Sequence, residues 1–159
     1  MNAQTILVER HDDDVALITL NRPATRNAIN VELAAALVEA MRGCQDTRCI
    51  VITGNDPAFC AGLDLLNLGA DKLADLPPFI HSVASSNVPT IAAVNGPAVT
   101  GGFEIGLACD FIVASEKARF ADTHVRVGVY PGSGARGPAA PRRHGQGPGD
   151  VDDRQFRRR

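Results

Sequence analysis

Apolar runs with strand-like character alternate along the chain with segments of helical spacing. Residues 5–9 and 15–20 are predicted strands, joined by the polar turn 11–14. Residues 49–53 are almost wholly apolar, as in a strand buried on both faces. Two further strands are predicted at residues 90–94 and 110–114.

Helical spacing appears between these strands. The first helix has apolar residues at i, i+3, i+4 and i+7 over residues 34–41, with Asn30 as a plausible N-cap and Gly43 placed to end it. The remaining helical segments are predicted at residues 64–68, 73–86 (interrupted by two prolines) and 102–108. This order of elements predicts an α/β fold, and the pattern alone does not distinguish it from a doubly wound sheet.

Residues 132–159 differ from the rest of the chain. They hold half of its arginines, together with many glycines and prolines, and no apolar periodicity. We expect a core at residues 1–131 and a disordered or loosely attached tail at 132–159, because such a segment buries too little surface to offset its ordering entropy. A GxGxxG pattern lies at 132–137, but prolines follow at once and oppose the helix that a dinucleotide site requires.

Composition excludes several classes of function. The net charge of −2 argues against nucleic acid as a partner. The apolar runs fall short of the ~18–20 residues of a membrane helix, and the N-terminus lacks a signal pattern, so we expect no membrane partner and a cytoplasmic location. The four cysteines lack metal-ligand spacing and are predicted to be reduced, buried thiols, so no metal is expected.

Two loops carry the candidate chemistry, at residues 58–65 and 95–104. Each follows a predicted buried strand and is predicted to open a helix, and each uses small residues where the backbone must approach something closely. Helix N-termini present unpaired N–H groups and a positive dipole end. Two such N–H groups aimed at one point would form an oxyanion hole.

Four motifs resemble the enoyl-CoA hydratase/isomerase (crotonase) family. LNRPATRNAIN at 20–30 is similar to LNRPxxxNAL, and AFCAGLDL at 58–65 to AFxAGxDL. The segment 92–115, AAVNGPAVTGGFEIGLACDFIVAS, is similar to AxVxGxAxGGGxELxxxCDxxxA. ARFADTHVRVGVYPGSG at 118–134 is similar to AxFxxPExxxGxxPGxG. The resemblance implies the N-terminal portion of a spiral of ββα repeats.

The same resemblance implies roles for individual residues. The amides of Leu63 and Gly101 would bind the thioester carbonyl oxygen of a 2-enoyl-CoA, and Glu104 would help to activate water. The CoA and acyl path would be lined by Arg26, Ala28, Ala61, Asp64, Leu65 and Gly102. Structural roles remain open: Asp64 as a helix N-cap, Gly101 and Gly102 as a tight helix entry, and Glu104 as an exposed first-turn glutamate.

The sequence departs from the family where a second catalytic glutamate is expected, because His124 stands there. A histidine with a pKa near ~6.5 could shuttle a proton, or His124 could be a polar residue of a site that does no hydration. Hydration by Glu104 and His124 is the leading interpretation. Double-bond isomerisation, thioester hydrolysis and a non-catalytic CoA-ester binder are the alternatives.

The resemblance stops at about Gly134, whereas family members continue well beyond this length. We therefore expect a truncated or frameshifted member, an inactive product being one possibility. No cofactor is expected, since coenzyme A belongs to the substrate. A homo-oligomer, trimer or hexamer, is implied by the family, although a truncated chain would lack part of the interface.

Overall fold

A computed structural model describes residues 4–11, 14–68 and 76–124. Its helices are α1 (Val31–Gly43), α2 (Phe79–Ala84) and α3 (Gly101–Ala108), with a 3₁₀ turn at Pro23–Thr25. Its strands are β1 (Ile6–His11), β2 (Val15–Leu20), β3 (Cys49–Gly54), β4 (Thr90–Val94), β5 (Pro97–Val99), β6 (Phe111–Ala114) and β7 (Arg119–Ala121).

Five of the strands form one sheet in the order β1-β2-β3-β4-β6. The β1–β2 pair is antiparallel, as a short turn permits, and the other pairs are parallel. A smaller parallel sheet pairs β5 with β7. A strand of the large sheet, a strand of the small sheet and a helix thus follow one another in β4, β5 and α3, which is the expected ββα repeat.

The hydrophobic core lies between one face of the large sheet and α1. Every second residue of β2 and β3 is buried, including Ile18, Leu20, Ile50 and Ile52, none of which is exposed to solvent. The opposite faces of these two strands are only half-buried, so β3 is less enclosed than its apolar sequence predicts. The side chain of Asn30 accepts a hydrogen bond from the Leu33 N–H at 2.9 Å, which confirms the predicted N-cap.

The predicted helix at residues 64–68 is wrong. This segment is a turn in which the Asp64 carbonyl accepts hydrogen bonds from the N–H groups of Asn67 (3.1 Å) and Leu68 (2.8 Å). The side chain of Leu66 is 98% exposed, so a helix here would have had little apolar surface to bury. Asp64 is therefore not a helix N-cap, and only the second of the two loops opens a helix.

The other differences concern short elements. α2 begins after Pro77 and Pro78 and ends at Ala84, so the predicted helix over 73–86 is present only in part, and residues 73–75 lie outside the described residues. β1 runs to His11 instead of ending at Glu9. β5 and β7 were not predicted, because three residues are too few to show a periodicity.

The tail predicted at residues 132–159 lies outside the described residues. Within the part of the chain that the structure describes, no helix has the length and apolar character needed to cross a membrane. In the same part, His, Cys, Asp and Glu side chains form no group of three that could hold a metal ion.

Candidate active site

The two predicted loops lie side by side because backbone hydrogen bonds join them. The N–H of Cys60 donates to the Pro97 carbonyl at 3.1 Å, and the N–H of Val99 donates to the Cys60 carbonyl at 2.9 Å. Cys60 and Ala98 therefore form a parallel bridge, and β5 lies between the first loop and β7. This pairing places the first loop along the β5 edge of the small sheet, directly beside the second loop.

Two glycines permit this close approach. Gly62 has a φ of +89°, and a Cβ there would overlap the Thr100 hydroxyl and lie 2.9 Å from the Val99 carbonyl oxygen. A Cβ on Gly102 would lie 2.7 Å from the Cβ of Cys60. The alternative role of Gly102 as a tight helix entry is therefore present in the structure, since its lack of a side chain lets α3 start against the first loop.

The amides of Leu63 and Gly101 are the predicted oxyanion donors. Around Leu63, the Gly62 carbonyl accepts from the Ile29 N–H at 2.7 Å and the Asp64 N–H donates to the Ile29 carbonyl at 2.9 Å. In such a parallel bridge the intervening N–H points away from the partner strand. Gly101 is the first residue of α3, so its N–H has no intrahelical acceptor.

Neither of these two N–H groups donates a hydrogen bond to another of the described residues. Gly101 is also close to the first loop, because a Cβ on it would lie 3.8 Å from the Gly62 Cα. Two backbone donors on adjoining segments are thus left for an anionic oxygen.

Glu104 lies one turn into α3 and is buried, with 9% of its surface exposed. Its Oε2 would lie 4.0 Å from a Cβ on Gly101, which places the carboxylate close to the Gly101 end of the site. The alternative of an exposed first-turn glutamate is wrong. A carboxylate held close to two backbone donors in this way is positioned to act as a general base on a molecule bound there.

His124 is brought to the same region by β7. The strand pairs in register with β5. Directly after β5 ends, the Thr100 N–H donates to the carbonyl of Ala121, the last residue of β7, at 2.8 Å. The two strands are parallel, so Thr100 and Asp122, which directly follow them, lie at the same end of the small sheet. The His124 side chain is 8% exposed, and its Nδ1 lies 2.7 Å from Oδ1 of Asp122.

The predicted path-lining residues are dispersed around the first loop. The Ala61 N–H donates to the Arg26 carbonyl at 3.0 Å, and the Arg22 guanidinium donates to the Ala28 carbonyl. Asp64 is buried and forms an ion pair with Arg22 at 3.1 Å. Leu65 is 48% exposed. Asp64 is thus committed to an ion pair with Arg22, which sequence reasoning missed.

Asn27 is a second residue that sequence reasoning missed. Its side chain is wholly buried, and its Nδ2 lies 2.7 Å from both the Asn55 and the Ala58 carbonyl oxygens. Its Oδ1 accepts from the Arg22 N–H at 2.9 Å. The signal was present in the LNRPxxxNAL motif, in which the asparagine could have been recognised as the residue that fastens the first loop.

Thr100 stands where the family motif has the first glycine of its GGG triplet. Its φ of 43° and ψ of −111° lie in a region that favours glycine, and a threonine there stores of order 1–3 kcal/mol of backbone strain. The strain lies directly before the Gly101 donor. Comparing AVTGGFE with the motif AxGGGxE would have identified this position.

Cys60 is packed inside the first loop and is not a nucleophile. Its Sγ donates to the Asn27 carbonyl at 3.1 Å, and burial raises the pKa of the thiol to about 12. At neutral pH the group is therefore a thiol and not the reactive thiolate. The four cysteines, all among the described residues, are free, as predicted, but only Cys44 and Cys60 are buried, whereas Cys49 and Cys109 are partly exposed.

The described residues thus form an α/β fold that contains a ββα repeat, with two adjoining backbone N–H groups beside a buried carboxylate, an arrangement that can stabilise an anionic oxygen. The family model described as "Enoyl-CoA hydratase/isomerase" matches residues 10–146. The chain belongs to this family. The match continues past Gly134, where the recognisable motifs end.

Known relatives agree with this membership. A probable enoyl-CoA hydratase of Mycobacterium tuberculosis is 42% identical over 134 residues, covering 78% of this chain and 52% of the relative. The 2,3-dehydroadipyl-CoA hydratase of Escherichia coli is 40% identical over 136 residues, covering 80% and 53%. This chain thus spans about half the length of the curated relatives it matches.

Solved structures confirm the crotonase-type fold. A putative enoyl-CoA hydratase/isomerase (crotonase) from Legionella pneumophila superposes with a TM-score of 0.75 at 30% identity, covering 83% of this chain and 56% of that one. An enoyl-CoA hydratase from Geobacillus kaustophilus gives a TM-score of 0.72 at 37% identity, covering 82% and 53%.

Proposed function

We propose that this site adds water across the double bond of a 2-enoyl-CoA thioester. The observation that carries the proposal is the pair of backbone donors, Leu63 N–H and Gly101 N–H, on segments joined through Cys60 and with Glu104 buried beside them. The family membership of the chain supports the same chemistry.

In the proposed reaction, Glu104 accepts a proton from water as the oxygen bonds to the β-carbon of the substrate. The electron pair of the double bond moves towards the thioester, and negative charge develops on its carbonyl oxygen. The amides of Leu63 and Gly101 bind this oxygen. Losing one donor of this kind typically costs ~3–4 kcal/mol of transition-state stabilisation.

The second half of the reaction protonates the α-carbon. We assign this proton to His124, which occupies the position of the second glutamate in the family motif. Its burial and the pairing of β5 with β7 support the assignment. The substrate path is proposed to be lined by Arg26, Ala28, Ala61 and Leu65. Asp64 and Gly102 are proposed to support this lining indirectly, Asp64 through its ion pair with Arg22 and Gly102 through its close packing against Cys60.

The remaining features of the proposal follow from the family. The substrate is an acyl-CoA thioester and no separate cofactor takes part. We propose a core over residues 1–131 with a tail over 132–159, a cytoplasmic location, no binding of nucleic acid or membranes, and assembly with further copies. The exposed apolar side chains of β6, Phe111 (65%) and Val113 (62%), support assembly, because contiguous apolar surface of this kind is typical of interfaces.

Hydration of crotonyl-CoA by the full 159-residue chain tests the proposal. The wild-type chain is expected to bleach the enoyl absorbance, and Glu104→Gln to lower the rate by about 10²–10⁴-fold, the usual contribution of general acid–base catalysis. Glu116→Gln removes an exposed carboxylate from the turn between β6 and β7 and is the matched control, with unchanged rate.

Equal traces for wild type and Glu104→Gln would refute hydration at this site. Binding of an acyl-CoA without turnover would instead establish a CoA-ester binder. Release of free thiol from the thioester would favour hydrolysis, and migration of the double bond in a 3-enoyl-CoA would favour isomerisation.

A further inference from the structure

Asp122 makes two contacts with the residue two positions further along the chain. Its Oδ1 lies 2.7 Å from Nδ1 of the His124 ring and also accepts the His124 backbone N–H at 3.0 Å. The carboxylate is 53% exposed, whereas the imidazole is 8% exposed. The imidazole ring is thus buried, and the partly exposed carboxylate of Asp122 binds it at the protein surface.

This contact determines which ring nitrogen carries the proton. Hydrogen bonds from the His124 backbone and side chain hold the pKa of Asp122 below its usual value, so the group is a carboxylate at neutral pH. An ionised carboxylate can only accept hydrogen bonds. Nδ1 of His124 must therefore be the protonated nitrogen, and in the neutral ring Nε2 carries the lone pair.

The position of the pair in the fold relates it to the oxyanion donors. Asp122 directly follows β7, whose last residue, Ala121, accepts the N–H of Thr100. Thr100 directly precedes the Gly101 donor. Since β5 and β7 are parallel and in register, the segments that follow them leave the small sheet at the same end.

We propose that Asp122 is a positioning residue, which keeps a proton on Nδ1 of His124 and so makes Nε2 the nitrogen that exchanges a proton with the substrate. In hydration the doubly protonated ring gives its Nε2 proton to the α-carbon and becomes the neutral Nδ1–H tautomer, and in the reverse reaction that neutral ring accepts the proton at Nε2. This inference rests on the proposed hydration. It deepens that proposal by giving the histidine the orienting partner that a histidine acting in proton transfer commonly has. The pair replaces one carboxylate of the usual catalytic couple by an imidazole and a carboxylate behind it.

The tautomer is measurable without turnover. Two-bond ¹H–¹⁵N correlation spectra of the full ¹⁵N-labelled chain, recorded where the imidazole is neutral, identify the protonated nitrogen, and the His124 signals are those lost in His124→Gln. We expect the Nδ1–H form in the wild type. Asp122→Ala, which removes the acceptor, should give a mixture of tautomers, and Asp122→Asn, which retains a neutral acceptor oxygen, should keep more of the Nδ1–H form.

Kinetics test the role of the tautomer. Asp122→Ala is expected to lower kcat for crotonyl-CoA by at least about tenfold with little change in KM, and Asp122→Asn to recover part of the loss; the full contribution of an acid–base group, about 10²–10⁴-fold, is the upper bound. Glu116→Ala, at an exposed residue of the turn between β6 and β7, is the control, and its rate and tautomer should match the wild type.

An Nε2–H tautomer in the wild type, or an unchanged tautomer in Asp122→Ala, would overturn the inference. So would a fall in activity of Asp122→Ala that appears only in KM. A wild-type chain without hydratase activity would overturn the proposed function and the catalytic part of this inference together, while the spectra would still decide how the ring is held.

Discussion

Asn27 is predicted to hold the first loop of the site in place, and Asn27→Ala removes it. The side chain is wholly buried, and its amide donates to the carbonyls of Asn55 and Ala58, each at 2.7 Å. Both carbonyls belong to the segment that connects β3 to the Leu63 donor. Truncation leaves both carbonyls without this donor, in a contact that is buried at Ala58 and part-buried at Asn55.

The magnitude follows from these contacts. A buried polar group left without its partner costs about 1–3 kcal/mol, so two carbonyls cost about 2–6 kcal/mol. Asn27 also has a φ of 58°, which alanine tolerates less well, by roughly 1 kcal/mol. The expected loss in the free energy of unfolding is about 5 kcal/mol, a large fraction of the ~5–15 kcal/mol of an ordinary domain.

Urea denaturation followed by circular dichroism measures this loss. Asn27→Gly is the informative companion variant, because glycine accepts the positive φ and should be about 1 kcal/mol less destabilised than alanine. Asn67→Ala, at an exposed asparagine whose Nδ2 donates only to Asp64 at 2.9 Å, should cost less than about 1 kcal/mol. The reasoning is refuted if Asn27→Ala and Asn67→Ala are equally stable.

Two further predictions concern the segments around the donors. Thr100→Gly should raise the free energy of unfolding by about 1 kcal/mol, since the relief of backbone strain exceeds the added entropy of the unfolded chain; a destabilised variant in the same urea titration would show that the threonine is not strained. Cys60 should make stability fall as pH rises above the ordinary thiol value of 9.0 towards about 12, because its proton is held in the fold and released on unfolding. The slope approaches about 1.4 kcal/mol per pH unit and should be absent in Cys60→Ala, and identical slopes would contradict the burial of the thiol.

The large elements could be predicted from the sequence because burial imposes its period on them. The strand at residues 15–20 has its predicted bounds, and α1 has both its predicted N-cap and its predicted terminal glycine. The helix predicted after Leu63 was wrong because burial does not impose a period on that segment. Its apolar letters resemble a helical repeat, but Leu66 faces solvent, and a sequence alone does not reveal which apolar residues remain exposed.

Residues of the candidate site that lie in a sequence motif could be predicted. Residues that join the site only through a contact in the folded chain could not. Leu63, Gly101 and Glu104 were predicted from the motifs around them, and the structure places Gly101 and Glu104 beside the loop that contains Leu63. The Arg22–Asp64 ion pair joins residues 42 positions apart, and no pattern in the chain points from one to the other. Asp122 was missed although it lies two residues from His124, because a neighbouring carboxylate becomes informative only when the ring is seen to turn towards it.

The site also explains why its sequence signal lies beside the groups that would act. A backbone N–H is common to every residue except proline, so the identity of Leu63 says little about the donor it provides. The sequence does show where two segments can pack closely, because only a residue without a side chain fits there. Gly62 allows the close approach to Thr100, and Gly102 allows the close approach to Cys60. An oxyanion hole can therefore be recognised in a sequence mainly by the small residues next to its donors. By this reasoning a larger side chain at Gly62 should damage the proposed hole more than a change of side chain at Leu63, although it is the amide of Leu63 that is proposed to bind the substrate oxygen.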